Sequence, residues 1–522
     1  MTTASSLTAF PGLAPTLLPD TTANTKPATL AVSPQPSTIV TIPSALGAAA
    51  VVYTPQGTLA NATAPALTWS QGGSDPVTQT MAANYAYSQS IAGQLNGLGS
   101  ALLDRFKTTG DDYSQSVSLT SASAASQLVP ASTGPQANVA LTVKTASGVE
   151  VDITLDSGGG TLGANIRSSG PLSDSERTAL AKLADGFQKA IDGLDAVPPK
   201  LDLSSLMQGD ASVLSSVKLQ FSVIGDGAND LSATFSTSST ARSLSLSGAV
   251  GTLSVNVDMS NAALWGSDAQ RSQAIASYLK QIDNATAQGH GNAALTGLFE
   301  DAFTQLNSNY GTSSQQLVGT GYAPWLAQAD HAMLTGLADF SASMADTPVS
   351  SNPLRLDETD AMSYQFSQTT STAGSLLKGS ISQHQQSHLR AAYHQTVTGT
   401  GTPKLTTSLL SQSYRYLQIS ADTDSTMQLA TEKGRVLDAS LSQSASQSTR
   451  QTEYLRGNLV SDVTTPASAS QSKDLLALLK PLLENGDAEK NSADWQQTLA
   501  GIHGLILQGV ALPSTSTATA AV

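Results

Sequence analysis

Between Val139 and Leu155 apolar and polar residues alternate almost without a break. Val139, Leu141 and Val143 lead to a turn at Ser147-Gly148, after which Val149, Val151, Ile153 and Leu155 interleave with Glu150, Asp152, Thr154 and Asp156. A period of two sends successive side chains to opposite faces, so this stretch reads as an antiparallel hairpin with one buried face and one acidic, wet face. The same period returns between Val213 and Met259: Val217, Leu219, Phe221 and Val223; a turn at Asp226-Gly227; Leu231, Ala233 and Phe235; Leu244 and Leu246; Leu253, Val255 and Val257. Four short strands in succession imply a meander.

Helical spacing separates these stretches. From Pro76 to Lys107 the positions Met81, Tyr85, Ile91, Leu95, Leu98 and Leu102 suggest an amphipathic helix, bent or loosely packed at Gly93, Gly97 and Gly99. Ser173 and Glu176 have the spacing of a capping box, and a helix striped by Leu180, Leu183, Phe187, Ile191 and Leu194 should run to Pro198-Pro199. Three more helices are expected after the meander: one capped by Ser267 and Gln270, one striped by Leu295, Leu298, Phe299, Phe303 and Leu306, and one opened by Pro324 and carrying Met333, Leu337, Phe340 and Met344. No lysine or arginine lies between Lys280 and Arg355, so this unit is acidic on its surface or packed against something. Tyr322 and Trp325, in a glycine-rich stretch from Tyr310, should anchor the last of these helices.

Residues 346–353, with Pro348 and Pro353, are the expected domain boundary. Beyond it, Tyr364 and Phe366, Leu389, Ala391 and Tyr393, Tyr414 and Tyr416, and Met427 and Leu429 mark strands poorer in aliphatic residues, closed by two helices near Leu475–Leu483 and Asp494–Leu507. The fold class expected is α+β: antiparallel meanders followed by helical segments, in two such units at 75–346 and 354–509, with a frayed tail at 510–522. No residue-level repeat marks a duplication.

Residues 11–76 carry ten of the 22 prolines, and only Asp20 and Lys26 are charged among the first 60. The segment 1–74 reads as a mostly disordered Ser/Thr/Pro-rich leader. No lysine or arginine precedes Leu7 and the apolar stretch is broken at Pro11 and Pro15, so a cleavable signal peptide is not expected. With no acidic residue before Asp20, the leader resembles those read by type III secretion systems of Gram-negative bacteria. The hairpin followed by the Ser173–Glu176 capped helix is similar to domains in uncharacterised proteins of Gram-negative bacteria, a resemblance that implies no activity.

Composition narrows the chemistry. The 522 residues contain no cysteine, which removes thiol catalysis, disulfides and thiolate metal sites. Charged residues make up 12%, the net charge is −14, and serine plus threonine fill about a quarter of the chain. A basic field for nucleic acid is missing, and no apolar run is long enough for a transmembrane anchor. Gly158-x-Gly160-x-x-Gly163 follows a strand as a dinucleotide fingerprint would, but no helix opens after it, and a flexible linker is the expectation. His384, His388 and His394 are the candidate metal ligands. On a strand with Leu389, Ala391 and Tyr393 they share the opposite, solvated face, too far apart for one ion and with no carboxylate nearby, so neither metal nor cofactor is expected. Asp226–Asp230 and Asp422-Thr423-Asp424 lack a calcium loop, and Asp357, Glu358 and Asp360 read as a solvated acidic loop.

The expected function is that of a non-enzymatic bacterial protein, exported or surface-associated without a cleavable signal peptide, acting by contacts with other proteins or by self-association. A secretion apparatus or chaperone is a further expected partner. The alternatives are a polymer-acting hydrolase using carboxylates such as Asp152 or Asp156, a secreted effector, and a cytoplasmic protein.

Overall fold

The computed structural model describes residues 66–87, 90–120, 136–194, 200–225, 230–310, 330–374, 378–433, 435–483 and 493–510, with two short strands at 52–53 and 59–60. Two compact units divide the chain, Met1–Pro65 and Ala66–Val522. In the first, β1 (Val52–Tyr53) pairs antiparallel with β2 (Leu59–Ala60). The rest of the leader up to Pro65 lies outside the described residues. Its last part is not leader: β3 (Ala66–Trp69) is one of the two edge strands of the second unit's sheet.

Among the described residues that sheet holds fifteen strands, every neighbouring pair antiparallel. After β3 come β4 (Tyr113–Thr120), β5 (Gln136–Thr145), β6 (Glu150–Gly158) and β7 (Thr161–Ser168), then β8 (Leu214–Ile224), β9 (Leu231–Ser238), β10 (Ala241–Gly248), β11 (Gly251–Asp258) and β12 (Asp339–Asp346). The longest strands end the series: β13 (Ala361–Gly374), β14 (Lys378–Thr396), β15 (Tyr414–Glu432), β16 (Arg435–Leu455) and β17 (Asn458–Asp474). From β8 to β17 each strand lies beside its successor; β8 joins β5, and the order continues β6, β7, β4, β3. The architecture is α+β with the sheet dominant.

Helices pack against this sheet. Pro76–Lys107 forms three helices, α1 (Pro76–Tyr87), α2 (Ile91–Leu95) and α3 (Leu98–Thr109), with Gly97 at φ +71° between the last two. Left-handed backbone there favours glycine. Next are α4 (Asp174–Ala181), α5 (Ala184–Leu194), α6 (Ser204–Met207), α7 (Asp268–Gly289), α8 (Ala293–Leu306), α9 (Leu475–Leu483) and α10 (Ala493–Leu507). Both capping boxes form: the side chains of Ser173 and Ser267 accept from the amides of Glu176 and Gln270, whose own side chains accept from the two serine amides. Tyr278 of α7 stacks on Phe366 at 5.4 Å and meets Phe303 and Phe340 edge-on at 5.5 and 5.2 Å. All four rings are buried, each contributing about 1.5–3 kcal/mol by burial. The helical part of the cation-free stretch after Lys280, the end of α7 and all of α8, packs on β11–β14.

Three expectations are corrected. Phe340 and Met344 belong to strand β12, where Phe340, Ala342 and Met344 alternate with polar neighbours, and not to a helix opened by Pro324, which itself lies outside the described residues along with Tyr322 and Trp325. Gly158–Gly163 is no linker: Gly158, Gly159 and Gly160 take positive φ in the turn between β6 and β7, and Leu162, Ala164 and Ile166 of β7 are buried. The boundary expected at 346–353 does not interrupt the sheet, because β12 pairs with β13 across it, with Ala342 opposite Phe366.

Candidate binding face

Alternation and register together sort every strand's side chains between two faces. One face carries the helices. On the other, the register aligns Arg167, Asp152, Thr142, Lys218, Ser236, Ser243, Asn256, Ser341, Ser367, Gln386, Asp424, Ser444 and Ser470 into one row across thirteen strands from β7 to β17. Two residues along, a parallel row runs through Asn165, Thr154, Ala140, Gln220, Thr234, Ser245, Ser254, Ser343, Gln365, His388, Asp422, Ser446 and Ser468. Ala140 is the single apolar member of the two rows. Neighbours within them hydrogen-bond: Thr142 donates to Asp152 at 2.7 Å, the Ser236 and Ser243 hydroxyls bond to each other at 2.7 Å, and Gln386 donates to Ser367 at 3.1 Å. Such cross-strand pairs each contribute about 0.2–1 kcal/mol.

Over β11–β17 the space between the rows is concave. A cavity of about 270 Å³ is lined by Ser254, Asn256, Ser341, Ser343, Gln365, Ser367, Gln386 and His388, together with Ala342 and Phe366. A second, of about 450 Å³, continues from Gln386 and His388 through Asp422, Asp424, Ser444 and Ser446 to Ser468 and Ser470. Ala342, Phe366, Thr423, Ala445 and Ala469 also line these cavities. Their side chains point to the other face, so their backbone forms the floor. Shared residues make the two cavities one groove at right angles to the strands, and seven strands at about 4.8 Å spacing give it a length of roughly 29 Å.

The groove's charges are paired. Asp422 accepts from His388 Nδ1 at 2.8 Å and from Arg390 at 3.0 Å, and Asp424 pairs with His384 Nε2. Burial alone would raise the Asp422 carboxyl, but the hydrogen bonds from His388 and Arg390 outweigh it and hold the group below its ordinary value. The expectation that no carboxylate lies near these histidines is therefore corrected: β15 supplies one to each.

His394 is on the same face, yet its side chain is fully buried rather than solvated. The 347–360 segment covers it, with Asp360 Oδ1 at 2.6 Å from Nδ1 and Glu358 Oε2 at 3.1 Å from Nε2. Glu358 also accepts from Tyr414 at 2.6 Å, and Asn352 donates to the Tyr414 hydroxyl at 3.0 Å. Desolvation pushes the imidazole down, but the two carboxylates more than compensate and lift its pKa to about 9. Burial likewise works against ionised Glu358 and Asp360, whose hydrogen bonds with His394 prevail and leave both below their ordinary values. The acidic run expected to be a solvated loop thus holds two members of a buried clamp, which fastens 347–360 to β14 and β15.

The three histidines are not brought together, and no group of three or more His, Asp or Glu placed to hold a metal ion occurs among the described residues. Asp152 and Asp156 are exposed on β6, engaged by Thr142 and Asn138. Asp226–Asn229 lies outside the described residues, whereas Asp422–Asp424 is mid-strand in β15. Among the described residues no helix is long and apolar enough to cross a membrane. Sequence reasoning singled out His384 and His388 but missed the rows, whose signal was the recurrent serine at alternate positions in 232–247 and 440–448. No family model, curated protein or solved structure shows a significant match to this chain.

Proposed function

We propose that this chain is a non-catalytic bacterial recognition protein, exported or held at the cell surface, that works by contact through the open face of its sheet. The observation that carries the reading is the pair of polar rows. An ordinary solvated sheet face is rich in lysine and glutamate, whose immobilisation costs roughly 1.5–2 kcal/mol of side-chain entropy each. Serine, threonine and asparagine lose less when covered and still present a donor or acceptor at every step, which favours a face meant to be occupied. Self-association and secretion partners remain part of this proposal, with the leader as the export signal.

The hydrolase alternative gains less support. Asp152 and Asp156 stand four residues apart on one strand, about 13 Å at 3.3 Å per residue. Paired glycosidase carboxylates are separated by roughly 5–9.5 Å. Fractionating the cells that make the protein tests the proposal: intact protein outside the cell or on its surface is expected, and adhesion to its target should fall when Ser343 and Ser446 are both replaced by lysine. Confinement to the cytosol under secretion-inducing conditions, or adhesion untouched by the double change, would refute it.

A further inference from the structure

We infer that the groove across β11–β17 binds a neutral, unbranched polysaccharide chain lying at right angles to the strands; this rests on the contact reading above. Direction and period come first. Each row offers one polar side chain per strand, at a step of about 4.8 Å, close to the length of one sugar ring. Rows on both sides let the hydroxyls along both edges of a glycan chain be met in register. The step suits a polypeptide poorly, because its side chains on one edge recur at about 6.8 Å.

Backbone chemistry argues the same way. Peptides add to sheets at edges, where unpaired N–H and C=O groups are free. From β11 to β16 the groove floor is mid-sheet, where those groups are spent on the ladders between β11 and β17, and only its last strand, β17, lies at an edge. No apolar side chain projects into the groove to anchor a leucine or an aromatic ring.

Charge fixes neutrality. Asp422 and Asp424 would repel a polyanion, and the chain's net charge of −14 adds to that field. A polycation would have to displace His384, His388 and Arg390 from the carboxylates they already hold. Hydroxyls ask for neither: they donate to Ser, Gln or Asp oxygens and accept from Ser or Gln donors. With no Trp, Tyr or Phe side chain directed into the groove to stack on, affinity comes from many modest hydrogen bonds, so it should rise with ligand length until the groove is filled.

The test uses the full chain with oligosaccharides of two to eight rings from an unbranched β-glucan, an α-glucan and a mannan, followed by calorimetry. Heparin and casein serve as the polyanionic and polypeptide probes. At least one neutral series should bind, gaining tenfold or more from two rings to six and levelling off beyond. Ser446→Trp and Ser343→Trp, which fill the groove, should each weaken that binding at least tenfold. Asn284→Trp, at an exposed position of helix α7 and outside both rows, should leave it unchanged, and thermal melts confirm that all three variants fold. The inference is overturned if no neutral series binds, if heparin or casein binds more tightly than every glycan, or if the groove variants bind as the native chain does. Should the glycans fail while cell adhesion remains sensitive to Ser446→Trp, the glycan falls and the contact reading stands; should adhesion be insensitive as well, both fall.

Discussion

Replacing His394 by leucine should cost about 3 kcal/mol of stability near pH 6 and much less at pH 9.5. The imidazole is lifted from 6.5 to about 9, and 2.5 pKa units at about 1.36 kcal/mol each give roughly 3.4 kcal/mol. Breaking a buried ion pair by removing one partner costs about 3–5 kcal/mol, which agrees. A folded-state pKa raised above the unfolded one gives stability that is complete below pH 6.5 and is lost as pH rises through 9. Glu358 and Asp360, held below their ordinary 4.5 and 3.8, contribute above those values and lose the contribution as pH falls. The clamp is therefore whole between about pH 4.5 and 6.5. Urea unfolding of native protein and His394→Leu at pH 6 and 9.5 reads the difference directly, and subtracting the two proteins cancels groups elsewhere. A gap below about 1 kcal/mol at pH 6, or one of the same size at both pH values, would refute the assignment of the buried charge to His394.

Gly251 opens β11 at φ +146°, and a Cβ there would press on the Ala345 carbonyl and lie 2.7 Å from Leu295 Cδ2; Gly251→Ala should destabilise by more than about 2 kcal/mol in the same unfolding assay. Burial, with Asp283 and Asp301 adding to it, raises the Glu300 carboxyl to about 7, so stability at this site falls as pH rises from 4.5 through 7. Glu300→Gln should raise the melting temperature at pH 8 and leave it unchanged at pH 4. Hydrogen bonds from Ser147 and then Ser173 bring the Glu176 carboxyl down to about 2, a contribution present above pH 4.5 and lost toward pH 2. Glu176→Ala should cost about 1 kcal/mol at pH 7, seen as earlier amide exchange in α4.

Elements that bury one aliphatic face were legible in the sequence: β5, β6, β8–β11 and the capped starts of the two boxed helices follow from alternation or capping, although the first helix breaks at 182–183 into α4 and α5 instead of running on unbroken. What failed did so for physical reasons. Phe340 and Met344 are four apart, and four is a multiple of two as well as one helical turn, so the spacing fits β12 and a helix equally. Strands β16 and β17 present Ser, Thr and Gln on both faces over much of their length, leaving little hydropathy contrast to detect. The site was half visible. Strand parity correctly put His384 and His388 on the open face, but the carboxylates opposite them depend on the β14–β15 register, which no local pattern specifies. His394 shares their parity; only a segment 34 residues earlier in the chain makes it buried.

Because β8 to β17 follow one another in simple succession, the span of the open face is a matter of counting. Inserting one more hairpin would extend both ladders of hydroxyls and amides by two steps, roughly 10 Å, without disturbing the register already set. A lineage of such proteins could lengthen or shorten its reach by whole hairpins, matching the size of what it holds while the local chemistry of each step stayed the same.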